Sequence, residues 1–448
     1  MKMQLFETLR LKFDQPDWSR NPEFGLLDAI LELHPELLTI VSDDILKDSK
    51  NSVFGRKDMP SVEQIFRSAI YKELKNLDYR ELEYSQIDSR ICEQFVKIDS
   101  LRPYSFQVLQ KYISKISADN LQKLLYAINI IAINEGLEDL EKFRQDTTVV
   151  ETNIHYPTNN SLVWDCIKEC HLLLSHLKEE VQGFDYRDYS KSAKKTFFKI
   201  NNTKTGDKRV DLFKKQLVLL TKCINQISNV IKKKSTCDCN IKVLALFFAF
   251  EDLLPILEQV YDMTFRKEIK GESVPNSEKI FSIYERHTDI IIKGSREILF
   301  GHKVDFSTGK SNLILTCNVL EGNPADSTLY QKTLDELISV YGVVPRDSAT
   351  DGGYASKANM EYAQSKGIVN VVFNKIVCSL KNAVSSKNME TRLKKWRSGI
   401  EANISNFKRG FDMFRCNWKG EAHFEQKVLW SAIAYNIRVM TGLVLAKL

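Results

Sequence analysis

The sequence predicts an α/β protein in which a mixed core is interrupted by a helical insertion and preceded by an all-helical N-terminal domain. Three observations lead to this fold class. A β-branched run, TTVVETNIHY, stands between two helix-rich blocks. After residue 277, two strand-like runs flank the turn sequence STGKS, and helical and strand patterns then alternate to the end. Strands on both sides of a helical block, followed by alternation of the two patterns, are typical of a mixed α/β layout.

The N-terminal block shows the spacing of amphipathic helices, with apolar residues three and four positions apart. Its clearest segments are SVEQIFRSAIYKELKNL, RELEYSQI, SFQVLQKYISKI and ADNLQKLLYAINIIAINEGL. Short helices joined by brief turns are compatible with a helix-turn-helix element, although many helical bundles share this pattern. We therefore predict a helical domain over residues 1–140, with DNA binding as its hypothesised role.

The remaining elements follow in chain order. Residues 141–160 are predicted to hold the first strand of the core, and residues 161–276 form the helical insertion. Residues 277–448 supply the rest of the core. The segments there are the hairpin ILFGHKVDF and NLILTCNVL, the helix DSTLYQKTLDELISVYG, the strand RDSATDGGY, the helix SKANMEYAQSKG, the strand IVNVVFNK and a helical stretch from Glu390.

Composition limits the class of protein. A chain of 448 residues exceeds the size of one growing core, so two or three domains are expected. The longest apolar run of the insertion, VLALFFAF, is too short to cross a bilayer, and the first residues lack a secretory signal pattern. Nine cysteines fit a reducing compartment. We expect a cytoplasmic protein without a membrane span. Cys237 and Cys239 could begin a zinc site, but no second close pair completes it.

Positive charge is concentrated in two segments. Lys191 to Arg209 holds seven basic residues and one acidic residue, which equals the net charge of +6 of the whole chain. Asn374 to Arg409 carries nine basic and two acidic residues. Such clustering favours a polyanion partner, and two solvated surfaces are the alternative. Phe197 and Phe198 offer a stacking surface for bases, although an aromatic pair is more often core. The candidate phosphate contacts of the first segment are Lys191, Lys194, Lys195 and Lys199.

Three carboxylates lie at informative positions. Asp146 heads the first core strand, and Asp351 follows a short strand and precedes two glycines. Glu401 lies on a predicted helix beside its apolar face, which consists of Ile400, Ile404, Phe407 and Phe411. Arg397 and Lys408 share a stripe with Glu401, at offsets of four and seven. An ordinary salt-bridged helix surface would explain this stripe equally well.

Two aspartates and a glutamate suit one kind of chemistry in particular. Phosphodiester cleavage by two metal ions needs hard oxygen ligands that hold Mg²⁺ on both sides of the scissile phosphate. An arginine and a lysine beside the glutamate would bind phosphate oxygens, the arginine in a bidentate manner and the lysine as a point charge.

The chain resembles the DDE transposases of bacterial insertion sequences, and among them the ISNCY-like group. The resemblance rests on five segments in order: DTTVVETNIHYPTNNSLVWD, SIYERHTDIIIKG with FGHKV, EGNPADSTL, TDGGYASKAN, and RSGIEANISNFKRGF with RCNWKG. It implies a ribonuclease H-like core with Asp146, Asp351 and Glu401 as its metal-binding triad. The related helix signature is Tyr-x2-Arg-x3-Glu-x6-Lys. Arg397, Glu401 and Lys408 match it, whereas Lys394 stands at the tyrosine position.

The resemblance also implies a function. A protein of this kind binds the terminal repeats of its own element, cleaves double-stranded DNA at the ends and joins the exposed 3′ hydroxyls to target DNA. Mg²⁺ is the expected cofactor, with Mn²⁺ as a possible substitute. A homodimer on DNA is expected because two ends must be held, and the bacterial nucleoid is the expected location. The alternatives are a catalytically inactive DNA-binding relative and a metal-dependent nuclease without strand transfer.

Other polar residues receive local interpretations. Glu151 and His155 lie at odd separations from Asp146, so they are predicted to face the opposite side of the strand and to stabilise local packing. Asp326 precedes a helix and is interpreted as an N-cap. Asp305 is interpreted as a turn residue at the hairpin. His302 and Lys303 are possible DNA contacts.

Overall fold

The computed structural model describes Trp18 and residues 21–47, 59–234, 240–293, 297–374 and 380–447. Cys237 and Cys239, the possible start of a zinc site, lie outside these residues. The chain divides into two compact units. The first combines Met1–Thr152 with Ile291–Leu448, and the second is Asn153–Ile290.

A mixed sheet forms the centre of the first unit, which confirms the α/β class. Within the described residues it has seven strands in the order β2-β3-β1-β5-β6, with β4 also paired to β3 and β7 to β1. Strand β1 runs antiparallel to β3 and parallel to β5, while β3 is antiparallel to β4 and β5 is parallel to β6. The strands are β1 Lys142–Thr152, β2 Asp289–Lys293, β3 Glu297–Thr308, β4 Ile314–Leu320, β5 Asp347–Asp351, β6 Asn370–Asn374 and β7 Arg415–Cys416.

Helices precede the sheet in the first unit and also lie between and after its later strands. The N-terminal ones are α1 Pro22–Leu33, α2 Glu36–Leu46, α3 Val62–Lys75, α4 Tyr79–Asp88, α5 Arg90–Val96, α6 Phe106–Ile113 and α7 Ala118–Asn134. The later ones are α12 Tyr330–Tyr341, α13 Lys357–Ser365, α14 Lys387–Arg397, α15 Gly399–Gly410 and α16 Glu421–Leu445. The predicted hairpin is confirmed as β3 and β4, which pair in antiparallel register.

The N-terminal helices share one hydrophobic core with the sheet and the last helix. Helix α16 packs against α1, α3, α7 and β4. Buried Glu73 on α3 forms ion pairs with Lys72 and with Lys427 of α16. The sequence predicts a helical domain that ends at residue 140, but the packing is continuous across that position, because the apolar faces of these helices are covered by α16 and by the sheet.

Helix α16 is long and apolar enough to cross a membrane by length and composition. Its most apolar window is 67% buried inside the unit, and its central residue Trp430 is almost fully enclosed. A helix that is apolar all round is also what the centre of a large core requires. The packing of α16 is that of a core helix.

The second unit is helical. Its helices are α8 Asn159–Glu180, α9 Ser190–Asn201, α10 Asp207–Lys232 and α11 Ile241–Thr264, and a π-helical turn, Phe265–Ile269, continues α11. Three of them match the helical segments predicted for residues 161–276, and α9 is an additional helix within the basic segment. These helices pack around their own apolar core. Thr158 caps α8 through a capping box with Ser161.

Candidate active site

Asp146 and Asp351 lie where two parallel strands part. The pairing of β1 with β5 ends at Gln145 and Thr350. Asp146 is the next residue and lies in the middle of β1, not at its head as predicted, because the strand already begins at Lys142. Asp351 is the last residue of β5. Side chains at the carboxyl ends of parallel strands line the edge at which α/β sheets bind ligands. The sheet therefore brings together two aspartates that are far apart in the sequence.

The helix that carries Glu401 differs from the predicted one. The sequence predicts one continuous helix through Arg397, Glu401 and Lys408, whereas the chain forms α14 and α15 with a break at Ser398. A Cβ atom on Gly399 would lie 2.6 Å from Nη1 of Arg144, so glycine leaves room for that guanidinium. Buried Arg144 donates to the carbonyl of Trp396 across 2.6 Å and thereby holds the end of α14 against β1.

The guanidinium of Arg397 joins all three carboxylates. Its Nη2 lies 2.9 Å from Oδ2 of Asp146 and 3.7 Å from Oδ1 of Asp351. Its Nη1 donates to Oε1 of Glu401 across 2.9 Å. The Arg397 side chain is only 7% exposed, and its buried Nε has no hydrogen-bond partner. One buried cation thus occupies the point on which the three acids converge.

The three acids differ in their surroundings. Their side chains are 19% exposed for Asp146, 42% for Asp351 and 66% for Glu401. Burial raises the pKa of Asp146 to about 6; the Arg397 charge opposes this rise, and the carboxylates of Asp351 and Asp326 add to it. Asp146 is thus the acid that depends most on a neighbouring positive charge.

The donor set suits a divalent cation, although the present side-chain positions do not form a metal cage. In the described parts of the chain, no three acidic, histidine or cysteine side chains come together closely enough to hold a metal ion. Arg397 lies between the acids and provides the positive charge that they need. Three carboxylates around one positive charge are the hard oxygen donors that Mg²⁺ and Mn²⁺ prefer. In this structure the Arg397 guanidinium supplies the positive charge between the three acids.

Lys408 and Lys394 lie apart from this contact. The Lys408 ammonium lies over the ring of Phe414, 5.6 Å from its centroid. Lys394, at the tyrosine position of the helix signature, pairs with Glu390 at 2.6 Å. Of the three residues that match the signature, Arg397 and Glu401 are in direct contact, while Lys408 lies further along α15.

Asp326 and Lys303 form a second charged pair beside β1. The Nζ of Lys303 lies 2.6 Å from Oδ1 of Asp326, and Thr147 donates to the same oxygen across 3.2 Å. The N-cap interpretation of Asp326 is wrong, because Ala325 is the N-cap of the short 3-10 helix that Asp326 begins, and Leu329 is the N-cap of α12. Sequence reasoning missed its place near the triad, since the adjacent Ser327 and the following helix indicated a purely local role.

Asp305 is a buried strand residue, so its interpretation as a turn residue is wrong. It lies within β3 and accepts hydrogen bonds from Gln145 and Thr333. Burial raises its pKa to about 7, against the lowering effect of these hydrogen bonds. The hydroxyl of Tyr354, from the turn after Asp351, lies 3.5 Å from it. Asp305 is therefore in contact with the turn that follows Asp351.

Residues 303–437 match the family described as "Transposase DDE domain". The match supports a DDE-type transposase. It contains Asp351, Arg397 and Glu401 and begins after Asp146. No curated protein and no solved structure matches the chain.

Glu151 and His155 make local contacts with charged side chains. Glu151 lies 2.8 Å from Arg415, whose strand β7 pairs with the end of β1. Strand β1 ends at Thr152, so the strand alternation predicted for His155 does not apply to it. His155 instead lies 3.4 Å from Asp165.

The four candidate DNA-binding lysines of the first basic segment lie on α9 in the second unit. Lys191, Lys194, Lys195 and Lys199 are all exposed, whereas Ala193 and Ile200 on the same helix are buried. Phe198 is 52% exposed between these lysines, and Phe197 packs near Trp164. Phe197 therefore packs within the second unit, whereas Phe198 is exposed among the lysines.

Proposed function

We propose that this protein is a DNA transposase that binds the terminal repeats of an insertion sequence and performs metal-dependent cleavage and strand transfer. The observation that carries the proposal is the convergence of Asp146, Asp351 and Glu401 on the Arg397 guanidinium. Acids that share a buried cation at the carboxyl edge of a mixed sheet suit phosphodiester chemistry with divalent metal. The family match of residues 303–437 supports the same reaction class.

A ribonuclease H-like core is the fold proposed for this site. Three antiparallel strands, β4, β3 and β1, are followed across the sheet by the parallel strands β5 and β6. This order and these directions support the proposal. The placement of the acids on β1, on β5 and on the later helix α15 supports it as well.

Asp146, Asp351 and Glu401 would hold Mg²⁺, or Mn²⁺ in its place. Bound to them, the ions would supply charge stabilisation at the scissile phosphate and activation of the attacking oxygen. Because the Arg397 guanidinium now pairs with the same carboxylates, it would have to release them for a metal ion to bind. Planar and always charged, it is then suited to bidentate contact with a DNA phosphate.

DNA contacts outside the catalytic centre are assigned to basic side chains. Lys408 is proposed to bind a phosphate near the cleaved end. The exposed lysines of α9, with Phe198 among them, are proposed to hold DNA through charge and base stacking. A homodimer is proposed because two element ends must be held together during transposition. The cytoplasm, at the bacterial nucleoid, is the proposed location.

Cleavage at the element ends tests this function. Purified protein and Mg²⁺ are incubated with a plasmid that carries the DNA flanking its gene, and new 3′ ends are mapped. We expect specific cleavage by the wild type and none by Asp351→Asn. Glu361→Gln, which changes an exposed acid on α13, is the matched control and should cleave normally. Specific binding without cleavage, equal in wild type and Asp351→Asn, would favour a DNA-binding relative without catalysis.

A further inference from the structure

Asp326 touches the immediate neighbour of Asp146. Its Oδ1 accepts a hydrogen bond from Oγ1 of Thr147, the residue after Asp146 on β1. The same oxygen pairs with Lys303, which lies on the adjacent strand β3 and whose side chain is 11% exposed. The ammonium of Lys303 also donates to the carbonyl of Pro324 across 2.8 Å, so it is bound to the loop that carries Asp326.

The other oxygen of Asp326 lies beside the turn that follows Asp351. A Cβ atom on Gly353 would lie 2.8 Å from Oδ2 of Asp326. Gly353 does not have a positive φ, so its conformation is open to other residues. A side chain at this position would therefore displace the Asp326 carboxylate.

Asn359 ties the two loops together. Its buried amide nitrogen donates to the carbonyl of Ser327, next to Asp326, and to that of Tyr354, next to Gly353, each across 2.8 Å. Gln331 donates to its amide oxygen across 3.0 Å. Asn359 therefore links the Asp326 loop to the turn after Asp351, and the Lys303–Asp326 pair attaches that loop to β1 and β3.

We propose that the Lys303–Asp326 ion pair is a positioning element that fixes the separation of Asp351 from Asp146. The inference rests on the proposed function, since that separation is what two metal ligands must hold. Asp326 bridges the neighbour of one acid and the turn after the other, while Lys303 neutralises it. Oδ1 of Asp326 is already bonded to Thr147 and Lys303. Asp326 therefore acts on the metal ligands through its neighbours, as a positioning residue.

Mn²⁺ binding to the full-length protein, measured by calorimetry without DNA, tests the proposal. Loss of a residue that orients metal ligands lowers metal affinity by about 10- to 100-fold. We expect a loss of that size for Asp326→Asn, a larger one for Asp351→Asn, and none for the control Glu361→Gln. Gly353→Ala, which displaces the Asp326 carboxylate and keeps its charge, should weaken Mn²⁺ binding in the same direction. If Asp326→Asn fails to fold, Gly353→Ala carries the test.

The two proposals fail in different ways. Wild-type Mn²⁺ affinity in both Asp326→Asn and Gly353→Ala, with binding lost in Asp351→Asn, would overturn the positioning role alone. Unchanged binding in all three variants would overturn the metal site and, with it, the positioning role.

Cysteine variants separate positioning from direct ligation. A thiolate accepts Mn²⁺ more readily than Mg²⁺, so a cysteine in place of a metal ligand should recover cleavage when Mn²⁺ replaces Mg²⁺. We expect this recovery for Asp351→Cys and not for Asp326→Cys. An equal Mn²⁺ recovery in Asp326→Cys would show that Asp326 binds metal itself and would overturn the positioning role.

Discussion

Arg397 donates a hydrogen bond to Asp146 across 2.9 Å, although the two residues are 251 positions apart in the chain. This contact joins the end of α14 to the middle of β1. It supplies a positive charge to an acid whose pKa burial has raised to about 6. The same guanidinium also reaches Glu401 and Asp351, so the metal-free arrangement of the site depends on one arginine.

Replacement of Arg397 by glutamine should tighten Mn²⁺ binding. The guanidinium and the metal compete for the same carboxylates, and a hydrogen bond to a charged group contributes about 1.5–3 kcal/mol. Loss of this competitor should increase Mn²⁺ affinity at least about tenfold, as measured by calorimetry, while DNA cleavage falls. Arg397→Lys keeps the charge and should stay closer to the wild type. An Mn²⁺ affinity that drops in Arg397→Gln would show that the arginine supports the metal site instead of competing for it.

The stability of the protein should fall with rising pH because of Asp305. Its pKa rises from 3.8 to about 7 on folding, so its contribution to stability is complete below about pH 4 and is lost as the pH rises through about 7. A pKa difference of one between the folded and unfolded states corresponds to about 1.4 kcal/mol of stability. Relative to Asp305→Asn, the wild type should therefore lose free energy of unfolding between about pH 4 and about pH 7. Urea unfolding of both proteins measures this difference, and parallel pH curves would contradict it.

Loss of Glu73 should destabilise the first unit strongly. This residue is 2% exposed and pairs with both Lys72 and Lys427, which are also buried. Glu73→Gln leaves two buried ammonium groups without their carboxylate, and breaking a buried ion pair costs about 3–5 kcal/mol. Exposed Glu361 pairs with Lys357 on α13, so Glu361→Gln should cost less than about 1 kcal/mol. Equal urea midpoints for the two variants would contradict this difference.

The lysines of α9 should govern the salt dependence of DNA binding. Each phosphate contact contributes about 0.9 to the slope of log affinity against log salt concentration. Replacing Lys191, Lys194, Lys195 and Lys199 by glutamine should reduce that slope by about 3 to 4 and weaken binding to all sequences alike. A matched variant changes four exposed lysines of α10: Lys214, Lys215, Lys222 and Lys232. If both variants show the same slope, binding follows total charge and not the surface of α9.

The arrangement of the core could be predicted to a large extent from local patterns. Strand-like runs indicated β1, β3, β4, β5 and β6, and three- and four-residue spacing indicated most of the long helices. The break between α14 and α15 had no such signal, because it arises where Gly399 makes room for Arg144 of a distant strand. Helix α9 was not predicted, because the many lysines in its sequence were interpreted as a charged segment and not as a helix.

The sequence singled out the three acids and Arg397 as candidates, but it did not indicate the residues that support them. Strand ends and helical offsets indicated Asp146, Asp351 and Glu401. Arg397 was expected on a surface stripe, yet it is buried among these acids. Asp326 lies 179 positions from its partner Thr147, and no local spacing encodes a contact over that distance. Such contacts arise from tertiary packing, which leaves no periodic trace in the sequence.

Strand transfer by the purified protein is the most direct test of the central proposal. A labelled DNA fragment that ends in the element's terminal repeat with an exposed 3′ hydroxyl is incubated with target plasmid and Mg²⁺. We predict covalently joined products with the wild type, none with Asp146→Asn or Asp351→Asn, and normal joining with Glu361→Gln. Cleavage of the plasmid without any joined product would contradict transposition and indicate a metal-dependent nuclease.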